Sequence, residues 1–194
     1  MAPSCDQCGG PIDQLRPGRV ARFCSDYCRV AFHRAVIPEI MRKERRWVTY
    51  KSPSLQPLQP DGQPASVTSP ETWASYPQVR GRKGKGYALG NNVGCVAFAH
   101  CVDPDTGALH PGVAEIVDPL LTKTYIEVSP WGDGLHVFGV VNDDEGWVRH
   151  FAGGLGIELC SRDRFVPVTG NRYSRCSQLG FIRQHFDRLA PIGR

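Results

Sequence analysis

Cys95-Val-Ala-Phe-Ala-His100 is the stretch that decides how this chain folds. Successive side chains of a strand alternate between its two faces. Val96, Phe98 and His100 therefore point one way, and Cys95, Ala97 and Ala99 the other. Further along, Thr124-Tyr-Ile-Glu-Val-Ser-Pro-Trp-Gly-Asp-Gly-Leu-His136 carries glycines that let the chain turn tightly and bring its amides close to a ligand, and His136 sits on the strand that follows. In Gly156-Ile-Glu-Leu159, Glu158 projects opposite to Ile157 and Leu159. Arg162-Asp-Arg-Phe-Val-Pro-Val-Thr-Gly170 comes next.

Working outward, strands are predicted at Trp47–Tyr50, Tyr87–Gly90, Gly94–His100, Tyr125–Val128, Leu135–Val141, Ile157–Leu159 and Phe165–Val168. Ser69–Tyr76 reads as a short helix with Ser69 at the N-cap and Pro70 at its first position. Pro111–Leu121 and Leu179–Leu189 read as further helices. Residues 51–70, rich in Pro, Ser and Gln, read as a long loop, and Arg80-Gly-Arg-Lys-Gly-Lys-Gly86 as a basic glycine-rich one. Strands interleaved with helices define a mixed α/β or α+β domain.

The amino end has a different chemistry. Cys5-x2-Cys8, fifteen residues, and then Cys24-x3-Cys28 offer two close pairs of thiolates to one tetrahedral ion. Ser25 and Asp26 are helix-start residues, which puts Cys28 in the first turn of a helix running to Ile37, before Pro38. Zinc on Cys5, Cys8, Cys24 and Cys28 would be structural, because four sulfurs leave no position open for a substrate. The expected division is a zinc knuckle and helix over 1–45 and a larger domain over 46–194. Cys95, Cys101, Cys160 and Cys176 read as small core residues.

The chain has 194 residues, of which 41% are hydrophobic and 22% charged, as in a globular protein. No apolar run reaches membrane-spanning length, and Met1-Ala-Pro-Ser-Cys5 lacks the basic and apolar segments of a secretory signal. Paired cysteine spacing without such a signal points to a reducing, cytoplasmic setting. The formal net charge of +4 permits a nucleic-acid partner without requiring one.

Taken in order, these segments resemble the primase-polymerase domain of the archaeo-eukaryotic primase superfamily, in its bifunctional phage and plasmid form. The resemblance covers roughly residues 46 to 170. It is carried by Leu58-Gln-Pro-Asp-Gly-Gln-Pro-Ala-Ser66, Pro70-Glu-Thr-Trp73, Thr124–Val137 and Arg164-Phe-Val-Pro-Val-Thr-Gly170. It implies an RRM-like sheet and template-directed nucleotidyl transfer, with primer synthesis and extension, in a bacterial or phage-infected cell. The implied partners are a DNA template and primer, nucleoside triphosphates, and a helicase beyond Arg194.

The family's first catalytic motif is Asp-x-Asp, and this chain has Ala97-Phe98-Ala99 in its place. Carboxylates at 97, 99 and 158 would hold two Mg²⁺ or Mn²⁺ ions against a triphosphate. As the resemblance implies, His136 would donate to a phosphate oxygen. Ser129, Gly132 and Gly134 would shape the phosphate pocket, and Arg164, Lys51 and Lys85 would contact anions. Trp131 would stack on a base, and His100, facing away from Ala99, would pack behind the site. Alanine cannot ligate metal, so the expectation is a chain that no longer polymerises but keeps nucleotide and DNA binding. Deliberate substitution, natural decay, and a strand that never held metal are the three origins open for the alanines. Singly, each residue has a plainer reading: His136 as a structural histidine, Glu158 as a solvent-facing strand residue, Arg164 as its partner. The alternative for the whole chain is a non-catalytic, zinc-containing nucleic-acid-binding module.

Overall fold

The strand expected around Phe98 forms at Val93–Ala99 and pairs on both sides. In chain order, α1 (Asp26–Arg34) is followed by α2 (Glu39–Lys43), β1 (Trp47–Lys51) and β2 (Gln56–Leu58). A 3₁₀ turn at Pro70–Thr72 and α3 (Tyr76–Val79) lead to β3 (Lys85–Ala88) and β4 (Val93–Ala99). Next come α4 (Pro111–Val117), a 3₁₀ turn at Asp118–Leu120, β5 (Ile126–Val128) and β6 (Leu135–Val140). The series ends with β7 (Trp147–His150), β8 (Gly156–Cys160), β9 (Phe165–Pro167) and α5 (Arg183–Phe186). This computed structural model describes residues 5, 11–12, 21–34, 37–103, 106–141, 147–150 and 155–186.

The strands make two antiparallel sheets, one in the order β2-β1-β3-β9 and one in the order β5-β6-β4-β8-β7. The architecture is α+β, with few and short helices among the described residues. The chain divides into two units, Met1–Val36 and Ile37–Arg194, so residues 37–45 belong with the sheets and not with the cysteine knuckle. The Trp47 indole N–H donates to the carbonyl of Met41 in α2 and ties that helix to β1.

Two strands escaped the sequence reading. β2 lies inside the expected loop, with Pro57 at its centre, and Pro is tolerated there because β2 is a sheet edge. β7 is the edge of the five-stranded sheet. The helix expected over 69–76 is instead the turn at Pro70–Thr72 followed by α3, whose cap is a Ser75–Gln78 capping box. The helix expected over 111–121 is α for seven residues and then tightens into the 3₁₀ turn. Leu179–Leu189 is helical over Arg183–Phe186, and residues 187–194 lie outside the described residues.

The five-stranded sheet has one apolar face. Val96, Phe98, Leu135, Val137, Ile126, Ile157 and Leu159 pack there against Val113 and Val117 of α4, Leu120, Ile182 and Phe186 of α5. The rings of Phe98 and Phe186 lie 6.0 Å apart. Burying such side chains contributes about 1.5–3 kcal/mol each, which fixes the register. The residues between them are thereby committed to the opposite face.

Candidate functional site

Register alone builds the site. Ala97 of β4 lies directly opposite both His136 of β6 and Glu158 of β8. His136 is in turn opposite Glu127 of β5. Glu127, His136, Ala97 and Glu158 thus form one row across four strands, on the face away from the helices. Ala99 lies on the same face, two residues along β4 and opposite Gly156. Ala97 is half-buried and Ala99 exposed.

His136 is 5% exposed and held in one orientation. Its Nδ1 lies 3.1 Å from the carbonyl oxygen of Pro167 in β9. A carbonyl only accepts, so Nδ1 carries the proton and Nε2 is the nitrogen left for a ligand. Glu127 Oε1 lies 3.7 Å from Nδ1 on the same side.

Glu127 has no exposed surface, yet both its oxygens are satisfied. The Thr169 amide donates to Oε1 at 2.9 Å, the Gly170 amide to Oε2 at 2.9 Å, and the Tyr125 hydroxyl to Oε2 at 2.7 Å. The carboxylate fastens the segment after β9 to β5 and stands behind His136. Burial raises the Tyr50 and Tyr125 hydroxyls above the usual phenol range, and the Glu127 charge adds to both shifts. Burial lowers Lys85, against the pull of the same carboxylate. Sequence reasoning gave Glu127 no role. The available signal was its position, an acid between Ile126 and Val128 on a strand that meets the His136 strand.

The row opens into a cavity of about 400 Å³ lined by Ala97, Ala99, Ser129, Trp131, His136 and Glu158, among others. Its size suits a small organic ligand. Ser129 is 7% exposed, and its buried Oγ has no hydrogen-bond partner. Unsatisfied buried hydroxyls are rare in native folds, so a ligand atom is the natural partner for this one. Gly134 is required by space, since a Cβ there would collide with the Phe98 carbonyl and come within 3.2 Å of Ser129 Oγ. Gly132 is required by its backbone, with φ at +86° in the turn that presents Trp131.

At the rim, Arg164 Nη2 lies 3.1 Å from Glu158 Oε1. β4 ends at Ala99, and His100 takes φ +54°, which breaks the alternation. His100 therefore joins the cavity lining instead of packing behind it, with Nδ1 2.6 Å from Asp133 Oδ2. Lys51 lines a neighbouring cavity. Lys85 is half-buried in β3, with Nζ 3.5 Å from the Arg82 carbonyl.

In the first unit, the sulfurs of Cys5, Cys24 and Cys28 lie within 4.8 Å of one another, close enough to hold one metal ion. Cys24 and Cys28 Sγ are 3.5 Å apart, near the separation of about 3.8 Å that tetrahedral zinc–thiolate bonds require. The Cys28 amide donates to Ser25 Oγ at 3.1 Å, so the expected helix start is formed. Cys8 lies outside the described residues.

The cleft in the sheet does not fit a pair of catalytic cations. Alanine occupies two of the three positions that the resemblance assigns to metal ligands, and the third, Glu158, is engaged by Arg164. Among the described residues, the cysteines are the only group of three or more side chains placed to share a metal. No model of a known protein family matches the chain, and no curated protein matches it. No helix among the described residues is long and apolar enough to cross a membrane.

Proposed function

We propose that the chain is a nucleotide- and DNA-binding domain of primase-polymerase type that does not carry out nucleotidyl transfer as it stands. One observation supports this above all. The row Glu127–His136–Ala97–Glu158 brings the motifs of the resemblance into a single cleft, although they lie far apart in sequence. The β4-α4-β5-β6 run with β8 beyond β4 also has the order that an RRM-like sheet asks for.

In this reading the cleft takes a nucleoside triphosphate. His136 Nε2, with Nδ1 engaged by Pro167, and Ser129 Oγ meet phosphate oxygens, while the apolar floor around Ala97 receives the less polar part. Arg164 exchanges Glu158 for a phosphate, since a guanidinium binds either anion through a fork of N–H donors. Two-metal catalysis lacks its ligands, and no step is routed through it. Cys5, Cys8, Cys24 and Cys28 would hold one structural zinc that stands in for a core too small to fold alone. Native mass spectrometry should find one zinc per chain, lost in Cys24→Ser.

Two arms test the function. Calorimetry with the chain should show triphosphate binding that His136→Ala weakens at least tenfold. Ala97→Asp together with Ala99→Asp, with Mn²⁺, template and triphosphates, should gain primer synthesis about 10³-fold or more above the starting chain. Absence of both triphosphate binding and gained synthesis would overturn the reading. Strand binding alone would leave the zinc-containing nucleic-acid-binding module.

A further inference from the structure

A second cavity, about 580 Å³, is lined in part by Tyr50, Lys51, Lys83, Pro130, Trp131 and Thr169. Trp131 lines the first cavity as well and is the wall between the two. It is 59% exposed, one of few large apolar side chains so placed among the described residues. It stands on a tight turn in which the Gly132 amide donates to the Ser129 carbonyl at 3.1 Å. A solvent-facing indole between two concavities is the kind of feature that marks a binding surface.

The charged side chains of the second cavity have one sign, whereas Asp133 and Glu158 line the first. Among the described residues, no aspartate or glutamate lines the second cavity, and none forms an ion pair with Lys51 or Lys83. The two lysines come from adjoining strand ends, because β1 and β3 pair and the Tyr50 amide donates to the Gly84 carbonyl at 3.1 Å. Lys51 and Lys83 thus line the cavity on one side of Trp131, and the His136 cleft lies on the other.

We propose that this surface is a track for a single-stranded nucleic acid, with a base stacked on Trp131 and the backbone phosphates on Lys51 and Lys83. It rests on the nucleic-acid reading of the cleft for its class of ligand, though not for its geometry. A flat aromatic face takes any base, and lysines at the groove take phosphates without reading sequence, so the track is indifferent to base identity. The strand passes from the basic cavity over Trp131 to the mouth of the cleft, where its end would meet a bound nucleotide.

The test uses the full chain and a labelled single-stranded oligothymidylate, read by fluorescence anisotropy over a range of salt. Trp131→Ala should weaken binding roughly tenfold. Lys51→Gln with Lys83→Gln should lower the slope of log affinity against log salt by about 1.4, which is about 0.7 for each lost phosphate contact. An abasic strand of the same length should bind more weakly and be indifferent to Trp131→Ala. All three positions are at the surface, and unchanged circular dichroism confirms that each variant is folded. Unchanged affinity in Trp131→Ala, or an abasic strand bound as tightly as the oligothymidylate, would overturn the proposal. Strand binding that needs these residues while triphosphate is not bound would sustain the track and sink the triphosphate reading. Triphosphate bound without strand binding would do the reverse.

Discussion

The two faces of the five-stranded sheet differ by a single step along each strand, yet they do different work. Val96 and Phe98 are sealed under α4 and α5, whereas Ala97 and Ala99 between and beyond them face an open cleft. The first face holds the sheet together and the second is free to carry chemistry. The second face is itself divided. Cys95, Phe138 and Cys160, opposite one another in the register, are buried, and the opening starts one row further along at Ala97. Apolar burial fixes the register, and the register then places polar groups from three strands in line with Ala97 without any contact having to specify it.

The sharpest way to break this contrast is to remove the ring of Phe98. Phe98→Ala should cost about 3–5 kcal/mol in denaturant unfolding, because the cavity left against Phe186 cannot fully collapse. On the other face, Ala97→Asp with Ala99→Asp should change stability by less than about 1 kcal/mol, since both carboxylates can reach the cleft. Similar losses from both variants would mean that the cleft face is core after all.

Glu127 sharpens the same contrast from the polar side. Glu127→Ala should cost about 3 kcal/mol, because it leaves the half-buried Thr169 and Gly170 amides and the buried Tyr125 hydroxyl without their acceptor. Glu127→Gln keeps the shape and one acceptor oxygen and should cost less. A loss under about 1 kcal/mol in the alanine variant would show that water replaces the carboxylate easily.

Much of this was legible in the sequence. The alternation in Cys95–His100 and Leu135–Val141 gives strands whose faces follow directly, and the side chains at 97, 99, 136 and 158 line one cavity. What could not be read depends on partners. β2 and β7 are short edge strands, too brief to show a period, and exist because a neighbour pairs with them. His100 looked like the last strand residue, but the chain turns there through a positive φ that alternation cannot foresee. Glu127 gave no local sign of its role, because its three donors come from Tyr125 and from a segment some forty residues downstream. The boundary at 36 and not 45 follows from α2 joining β1 through Trp47, again a contact between distant groups.

The last effect, confined to alkaline pH, concerns the closed end of the cleft face. Cys160 lies opposite Cys95, and burial, with the Glu158 charge adding, pushes its thiol up to about 12 from an ordinary value near 9. The neutral thiol is thus the form that the fold prefers. Its contribution is fully present below pH 9, where the unfolded chain also keeps the proton, and is lost as pH rises from about 9 to about 12. Other groups titrate over that range, so the informative quantity is a difference between two proteins. The melting-temperature advantage of the parent over Cys160→Ala should be constant up to pH 9 and shrink steadily above it. A difference that stays level to pH 11 would place the thiol in contact with water, and the closed end of this face would then be open like the rest.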